Sequence, residues 1–435
     1  MERKADDVQY KIFDAHQLST RVGLILAVIA VVVFGWFAVR WQLGDMLADL
    51  TLPTDVNAKE IADLAVRLAP GDPTTNWLAA SVRKNVFTTE AIDQTAKNFE
   101  TVVRKSPDDY RWWVELGRAR EQSEQTDIAE SAFLEAVKLA PNYAYPHWQA
   151  GNFYLRQNRS EEAFNELKKT AESNSIYRDQ VFSVVWDYYE KDMARMEQLA
   201  GDAPASRASL SRFYAAKQRP EDSLRIWNTL SEEDKQANLP VAKILAQSLF
   251  ERKFFRQSLA FTREIGITPD LRDETVQNAG FEKPIGDGEG NYFGWTVLPV
   301  EKMEVKLDPT QKHEGNRSLR IAFSGYSEPT LYHVGQLVTV EPAAKYRLTF
   351  WTKTDSLKSG GMPAFEVYNA NDTANLVTNE AFPVGTSDWH PVKLEFTAPE
   401  NADAVGIRLL RLPCDGKCPI LGTIWLDDFK LERIK

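Results

Sequence analysis

Three successive patterns of hydrophobic and polar residues run along the 435-residue chain. An apolar stretch without a charged residue extends from Val22 to Val39, which is long enough to cross a bilayer as one helix. Apolar residues then recur at helical spacing over residues 54–272. After Asp273 they alternate with polar residues in short runs separated by Gly, Pro, Asn and Asp. These patterns predict a multidomain α + β protein with one N-terminal transmembrane helix, an α-solenoid of helical hairpins and a C-terminal antiparallel β-sandwich.

The apolar stretch is interpreted as an uncleaved transmembrane anchor at residues 21–41, between a tail at 1–20 and a juxtamembrane linker at 42–53. A cleaved signal peptide is the alternative, but it has a shorter apolar region and a small-residue cleavage site, which Trp41-Gln42-Leu43 does not offer. Lys and Arg residues set the orientation. Four of them precede the stretch, whereas only Arg40 follows it before Lys59. We therefore expect a cytoplasmic N-terminus and the bulk of the chain outside the cytoplasm.

Two segments of the helical region align at an offset of 34 residues, with Gly117 matching Gly151 and Ala129 matching Ala163. Small residues at 117 and 129 allow two antiparallel helices to approach closely, and Phe133 fills the remaining gap. Seven positions resemble a tetratricopeptide repeat in their spacing, namely Trp113, Leu116, Gly117, Ala129, Phe133, Ala136 and Pro141. Weaker copies on both sides extend the array over residues 54–272. Such arrays bind protein partners or act as rigid spacers, and we expect a protein partner here.

The alternating region contains seven strand candidates, which suggests a sandwich or jelly roll over residues 275–435. The candidates are Ser318–Phe323, Gly335–Val340, Tyr346–Thr352, Ala364–Tyr368, Pro391–Phe396, Val405–Leu410 and Thr423–Leu431. Because successive side chains of a strand point to opposite faces, the apolar positions of three of these runs mark the core side. The residues between them then point outward.

Five segments of this region resemble the galactose-binding-like jelly roll of cellulose- and xylan-binding carbohydrate-binding modules. In order they are NAGFEKPIGDGEGNYFGW, GNRSLRIAF, YRLTFWTKT, DWHPVKLEFTAPENA and GTIWLDDFKLERI. The resemblance covers residues 278–434, in a fold that also serves roles other than sugar binding. Anchor, repeats and module together are similar to bacterial membrane-anchored proteins linked to exopolysaccharide or O-antigen assembly. That similarity implies an inner-membrane protein with most of its chain in the periplasm.

The outward positions of three strands give a candidate sugar-binding face. It consists of Arg347, Trp351, Glu366, Tyr368 and Arg408. Aromatic rings supply apolar stacking for a sugar, and charged groups form hydrogen bonds with its hydroxyls. The alternative is that loops or the solenoid cover this face, so that Trp351 makes a contact between domains.

Two further candidate features concern a metal and a disulfide. The resemblance implies a structural calcium between the first and last strands, with Glu282 and Asp428 as ligands, because hard cations prefer carboxylate oxygens. Solvated charges at strand ends are the alternative. The only two cysteines, Cys414 and Cys418, are close in sequence and are expected to form a disulfide if the domain is exported. Two free thiols are the alternative for this pair.

Composition and the absence of motifs narrow the function. The chain has 52 Lys and Arg against 62 Asp and Glu, a net charge of −10 without a basic stripe, which argues against nucleic acid as a partner. The five histidines are scattered, and no zinc-protease pattern, nucleophile elbow, phosphate loop or dinucleotide fingerprint is present. We expect no catalytic residues and no cofactor other than the structural calcium.

The leading hypothesis is a non-enzymatic scaffold that is anchored in the membrane, recruits a protein through its repeats and binds an envelope polysaccharide through its jelly roll. The first alternative is a purely structural subunit of a membrane complex that binds no glycan. The second is a polysaccharide-modifying enzyme, whose paired carboxylates need not be neighbours in sequence.

Overall fold

The computed structural model describes residues 18–84, 88–173, 175–285 and 292–435. The chain forms two compact units, Met1–Arg195 and Met196–Lys435. All but the last three residues of the tail expected at 1–20 lie outside the described part of the chain. The boundary between the units falls within the expected solenoid, so the last helices belong to the same unit as the sandwich.

The first unit is helical. Its helices are α1 (Leu18–Asp49), α2 (Ala58–Leu68), α3 (Pro73–Ser81), α4 (Thr89–Lys105), α5 (Tyr110–Gln122), α6 (Thr126–Leu139), α7 (Ala144–Arg156), α8 (Ser160–Ser173) and α9 (Ser175–Tyr188), and α10 (Met193–Ala200) crosses the unit boundary. Consecutive helices pack in pairs, most extensively α5 with α6 and α7 with α8.

The two aligned glycines explain this pairing. A Cβ atom on Gly117 would lie 2.9 Å from the Phe133 ring, and one on Gly151 would lie 2.8 Å from Leu167 Cγ. Both distances are too short for a real contact, so α5 and α7 approach their partners only because these positions lack a side chain. The expected repeat of close-packed helical hairpins is confirmed.

Helix α1 is a single helix of 32 residues and is long and apolar enough to cross a membrane. A signal sequence near an N-terminus can also be long and apolar enough to meet these criteria. The helix continues to Asp49, through most of the segment that we assigned to a linker. Gly44 and Ala48 are buried in this part because it packs against α2 and α3.

The second unit joins five further helices to a β-sandwich. The helices are α11 (Pro204–Ala216), α12 (Pro220–Trp227), α13 (Glu232–Ala237), α14 (Leu239–Glu251) and α15 (Phe255–Glu264). The strands are β1 (Thr296–Val297), β2 (Met303–Asp308), β3 (Ser318–Tyr326), β4 (Val334–Thr339), β5 (Lys345–Lys358), β6 (Pro363–Asn369), β7 (Asn375–Thr378), β8 (Gly385–Thr397), β9 (Ala404–Arg411) and β10 (Ile420–Ile434). All seven expected strands are present.

The strands form two antiparallel five-stranded sheets. The front sheet has the order β1-β4-β9-β6-β7, and the back sheet has the order β2-β3-β10-β5-β8. Aromatic rings from both sheets fill the space between them. Phe350 of β5 stacks on Phe429 of β10 with ring centroids 4.7 Å apart, and Phe365 of β6 lies 5.6 Å from Phe429. The expected sandwich is confirmed, with its core between the sheets.

Candidate functional site

Three of the five residues expected on the sugar-binding face lie together on the outer face of the front sheet. Glu366 and Tyr368 belong to β6, and Arg408 belongs to β9, directly opposite Glu366 in the antiparallel register. Val367, between Glu366 and Tyr368, and its partner Ile407, next to Arg408, are buried in the core. Strand alternation therefore brings these three side chains to one surface.

Tyr332, from the segment just before β4, completes this group. We call Tyr332, Glu366, Tyr368 and Arg408 the front-face cluster. The guanidinium carbon of Arg408 lies 3.6 Å from the centroid of the Tyr332 ring and 4.1 Å from that of Tyr368. Both distances are those of cation–π contacts. Arg408 Nε also donates a hydrogen bond of 2.6 Å to Glu366 Oε1. Two rings and a carboxylate thus fix the guanidinium.

The ion pair in this cluster is largely shielded from water. The side chain of Arg408 is 16% exposed and that of Glu366 is 6% exposed. Asn375 Nδ2 of β7 donates to Glu366 Oε2 at 2.6 Å, so both carboxylate oxygens are engaged. Within the described chain, the two Nη atoms of Arg408 donate no hydrogen bond to protein groups. They remain available as donors to a ligand.

The floor of the cluster is made by a glycine. A Cβ atom on Gly406 of β9 would lie 2.0 Å from Tyr368 Cζ, so the tyrosine ring lies directly on the backbone of β9. Burial raises the pKa of Tyr368, which therefore keeps its phenolic proton at neutral pH. Tyr332 is 46% exposed and presents its ring to solvent. The cluster offers aromatic surface, guanidinium donors and hydroxyl groups, a combination that suits a neutral polyhydroxylated ligand.

Helix α15 covers the other end of the same sheet face. Phe255 and Leu259 of α15 and Phe293 form a buried cluster with Ala404 of β9, and Leu337 of β4 packs against it. Arg256 holds this junction through an ion pair of 2.6 Å with Glu341. Helix α15 therefore covers the Ala404 end of this face, whereas the front-face cluster lies beyond the helix.

The other two predicted residues lie on a different surface, so the five do not share one face. Trp351 and Arg347 belong to β5, which is a strand of the back sheet. The His313 imidazole stacks on Trp351 with centroids 3.9 Å apart and planes 13° from parallel. Arg347 pairs with the exposed Glu395 at 2.9 Å. One ring face of Trp351 is therefore already occupied by protein.

The expected calcium ligands lie next to each other beside the back sheet. A Cβ atom on Gly280 would lie 3.5 Å from Asp428 Oδ1, 3.8 Å from Asp427 Oδ1 and 4.0 Å from Glu282 Cγ. Asp427 is fully buried, and desolvation raises its pKa to about 6. Glu282 Oε1 accepts hydrogen bonds from the backbone N–H groups of Asn316 and Arg317, and Asp428 Oδ2 lies 2.6 Å from His313 Nδ1. Carboxylate oxygens are the ligands that a hard cation prefers. Glu282 and Asp428 would hold such an ion through carboxylate oxygens.

Cys414 and Cys418 form a disulfide after β9, with their Cα atoms 6.5 Å apart. Its loop is tied to the front sheet through Arg411, the last residue of β9. Arg411 donates to the Cys418 carbonyl oxygen and, at 2.8 Å, to the carbonyl oxygen of Glu328. The segment that carries Tyr332 is therefore held at its start by the same arginine.

Sequence reasoning missed Tyr332, Asn375 and Gly406. Tyr332 lies outside any strand, so alternation says nothing about its direction. Gly406 occupies an outward position of a strand, and a glycine inside a strand is a signal of close approach by another group. That signal points to Gly406, although not to Tyr368 as the group that approaches.

Comparison with known proteins finds a family model that is similar to part of the chain. Residues 273–410 match a family model described as a carbohydrate binding domain. This match contains β1–β8, all of β9 except Arg411, and all four residues of the front-face cluster. No curated protein matches the chain.

Several solved structures are similar to one region or the other. A CBM22-1 xylan-binding domain of Xyn10C from Paenibacillus barcinonensis is 17% identical, covering 36% of this chain and 92% of its own, with a TM-score of 0.25. TmCBM61, in complex with beta-1,4-galactotriose, is 20% identical, covering 38% and 100%, with a TM-score of 0.26. MamA from Desulfovibrio magneticus RS-1 is 22% identical, covering 31% and 72%, with a TM-score of 0.26.

Proposed function

We propose that this protein is a membrane-anchored glycan-binding scaffold. Its sandwich binds a polysaccharide of the cell envelope at the front-face cluster, and its helical repeats bind a protein partner. Helix α1 anchors the chain in a bacterial inner membrane, with the N-terminus cytoplasmic and the bulk of the chain periplasmic. The protein acts without catalysis in the assembly of exopolysaccharide or O-antigen.

The observation that carries the proposal is the position of the front-face cluster. It lies within residues 273–410, the part of the chain that matches a carbohydrate binding domain. Tyr332 supplies an exposed ring against which the apolar face of a sugar can stack. Arg408 supplies donors whose direction is fixed before a ligand arrives, so little conformational entropy is lost on binding.

A binding measurement with one tyrosine variant and one tryptophan variant tests this proposal. We expect the full chain in detergent to bind polysaccharide from the source cells saturably, and Tyr332→Ala to weaken that binding about tenfold, as for a central aromatic contact. Trp351→Ala on the back sheet is the matched control and should bind like the unchanged protein.

Two results would contradict the proposal. Saturable binding that Trp351→Ala abolishes and Tyr332→Ala leaves intact would move the site to the back sheet. An unchanged protein that is folded and binds none of the polysaccharide would favour the purely structural subunit instead.

A further inference from the structure

Helix α1 connects the apolar stretch to the first helical hairpin without a break. It runs from Leu18 to Asp49, ten residues past the end of the uncharged stretch at Val39. A Cβ atom on Gly44 would lie 2.8 Å from Ala69 Cβ and 2.9 Å from the Ala65 carbonyl oxygen. The backbones of α1 and α2 are therefore in direct contact at this point. The anchor helix is itself a packed element of the helical unit.

This contact fixes the height of the hairpin above the membrane. At about 1.5 Å per residue, Val22–Val39 spans about 27 Å, close to the thickness of the hydrocarbon core. Arg40 and Trp41 then stand at the level of the lipid headgroups, where aromatic and basic residues are favoured. Arg40 Nη2 donates to the carbonyl oxygen of Arg67, in the last turn of α2. The C-terminal end of α2 is therefore at the same level as Arg40.

The turn after α2 and the end of α4 lie at this level too. A Cβ atom on Gly71, in the α2–α3 turn, would lie 3.2 Å from Trp41 Cη2 and 3.7 Å from Lys105 Cε. Lys105 is the last residue of α4, so the end of α4 and the Trp41 ring both lie next to this turn. Three separate helices thus bring residues to the level of Arg40 and Trp41, where the apolar stretch of α1 has ended.

The residues at this level form a basic surface, which we call the basal surface: Arg40, Trp41, Arg67, Pro70 and Lys105. All of them except Arg40, which is half-buried, are exposed. Two acidic groups of the same hairpin are engaged, because Asp63 pairs with Arg83 and Asp72 caps the N-terminus of α3, whereas Glu60 lies in the first turn of α2, at the opposite end of that helix. Asp108, exposed in the turn after α4, and Asp45, half-buried on α1, are acidic residues that oppose the positive charge of this group.

We infer that the basal surface lies on the bilayer and contacts anionic phospholipid headgroups, so that α1 holds the first hairpin rigidly against the membrane. The inference rests on the membrane anchoring proposed above and is independent of glycan binding. Basic groups attract the anionic lipids of a membrane surface within a short distance of it. The packing at Gly44 keeps Arg67 and Lys105 within that distance, which a flexible linker would not do.

The test uses the full chain in nanodiscs of phosphatidylcholine and phosphatidylserine that contain a small fraction of nickel-chelating lipid. Spin labels are placed on single cysteines in separate variants, Pro70→Cys in the basal surface and Glu60→Cys near the opposite end of the same hairpin. We expect relaxation of the label at 70 by headgroup nickel to be several-fold stronger than at 60. Gly44→Leu, which forces α1 and α2 apart, should remove this difference.

Two further variants separate the possible outcomes. A label introduced by Val31→Cys reports whether α1 crosses the bilayer, through its accessibility to oxygen rather than to an aqueous reagent. If this label is in the hydrocarbon and the labels at 70 and 60 relax equally, the basal surface does not contact lipid and the inference is wrong. If the label at 31 is in water, membrane anchoring is wrong and the inference fails with it. When Arg67→Glu and Lys105→Glu are combined, we expect the relaxation of the label at 70 by headgroup nickel to be independent of the phosphatidylserine content.

Discussion

The two outer faces of the sandwich carry similar residues in different environments. On the front sheet, Arg408 pairs with a nearly buried glutamate and lies between two tyrosine rings. On the back sheet, Arg347 pairs with Glu395 in solvent, and His313 occupies one face of the Trp351 ring. An arginine, a carboxylate and an aromatic residue on a strand are therefore not enough to define a site. What distinguishes the front face is a fixed guanidinium with free donors beside an exposed ring.

The largest difference between the faces should appear when each ion pair is broken. We expect Glu366→Ala to destabilise the front sheet by about 3 kcal/mol, because it leaves the shielded Arg408 without its partner. Glu395→Ala on the back sheet should have no measurable effect, since that pair is exposed to water. Hydrogen exchange of the amides of β6 and β9 in the full chain measures the first effect, and exchange of β5 and β8 measures the second.

Equal destabilisation by the two substitutions would contradict this account of the two faces. So would an unchanged exchange rate in β6 and β9 for Glu366→Ala, because it would mean that solvent already reaches Arg408.

A smaller effect is expected from a change beneath Tyr368. Gly406→Ala places a Cβ atom where the tyrosine ring lies, so the ring must move and Arg408 loses one of its two stacking partners. We expect a cost of about 2 kcal/mol in stability, typical of overpacking, together with weaker glycan binding. Thr349→Ala, at an outward position of β5, is the control and should change neither quantity. Calorimetry measures both stability and glycan binding. If both are unchanged in Gly406→Ala, the Tyr368 ring has more space than the structure gives it, and this account of the ring is wrong.

The sequence predicted the sandwich well because its signals are local. Alternation of apolar residues in β5 and β6 correctly placed Tyr346, Leu348 and Phe350 in the core and Arg347 and Trp351 outside it. Alternation says which side of a strand faces the core, but not which sheet the strand joins. Strands β5 and β6 are consecutive, yet β5 pairs with β8 and β10, and β6 pairs with β7 and β9. These pairings join distant parts of the chain, so one expected face became two.

The helical unit also shows that local sequence patterns do not predict contacts between distant parts of the chain. The apolar stretch predicted a helix long and apolar enough to cross a membrane, because a run without charges is a property of consecutive residues. The end of that helix depends instead on contacts between Gly44 and α2, more than twenty residues away in the chain. A linker was therefore expected where the structure has a packed helix.

The smallest effect concerns the calcium site proposed beside the back sheet. Adding calcium to the full chain should raise the midpoint of thermal unfolding by a few degrees, and removing it with a chelator should reverse the change, because an ion bound only by the folded state stabilises that state. Glu282→Gln should reduce the response, and Glu304→Gln, an exposed position on β2, is the matched control. Glycan binding at the front sheet should be insensitive to calcium. A thermal midpoint that does not respond to calcium would mean that Glu282 and Asp428 hold no ion.

The central claim is that glycan binds at the front-face cluster, and hydroxyl-radical footprinting of the full chain tests it most directly. With polysaccharide from the source cells at saturating concentration, we expect oxidation of Tyr332 and Tyr368 to fall several-fold, while Trp351 and Trp389 on the back sheet are oxidised as in the free protein. Protection of Trp351 and Trp389 with unchanged oxidation of the two tyrosines would contradict the account and place the ligand on the opposite face.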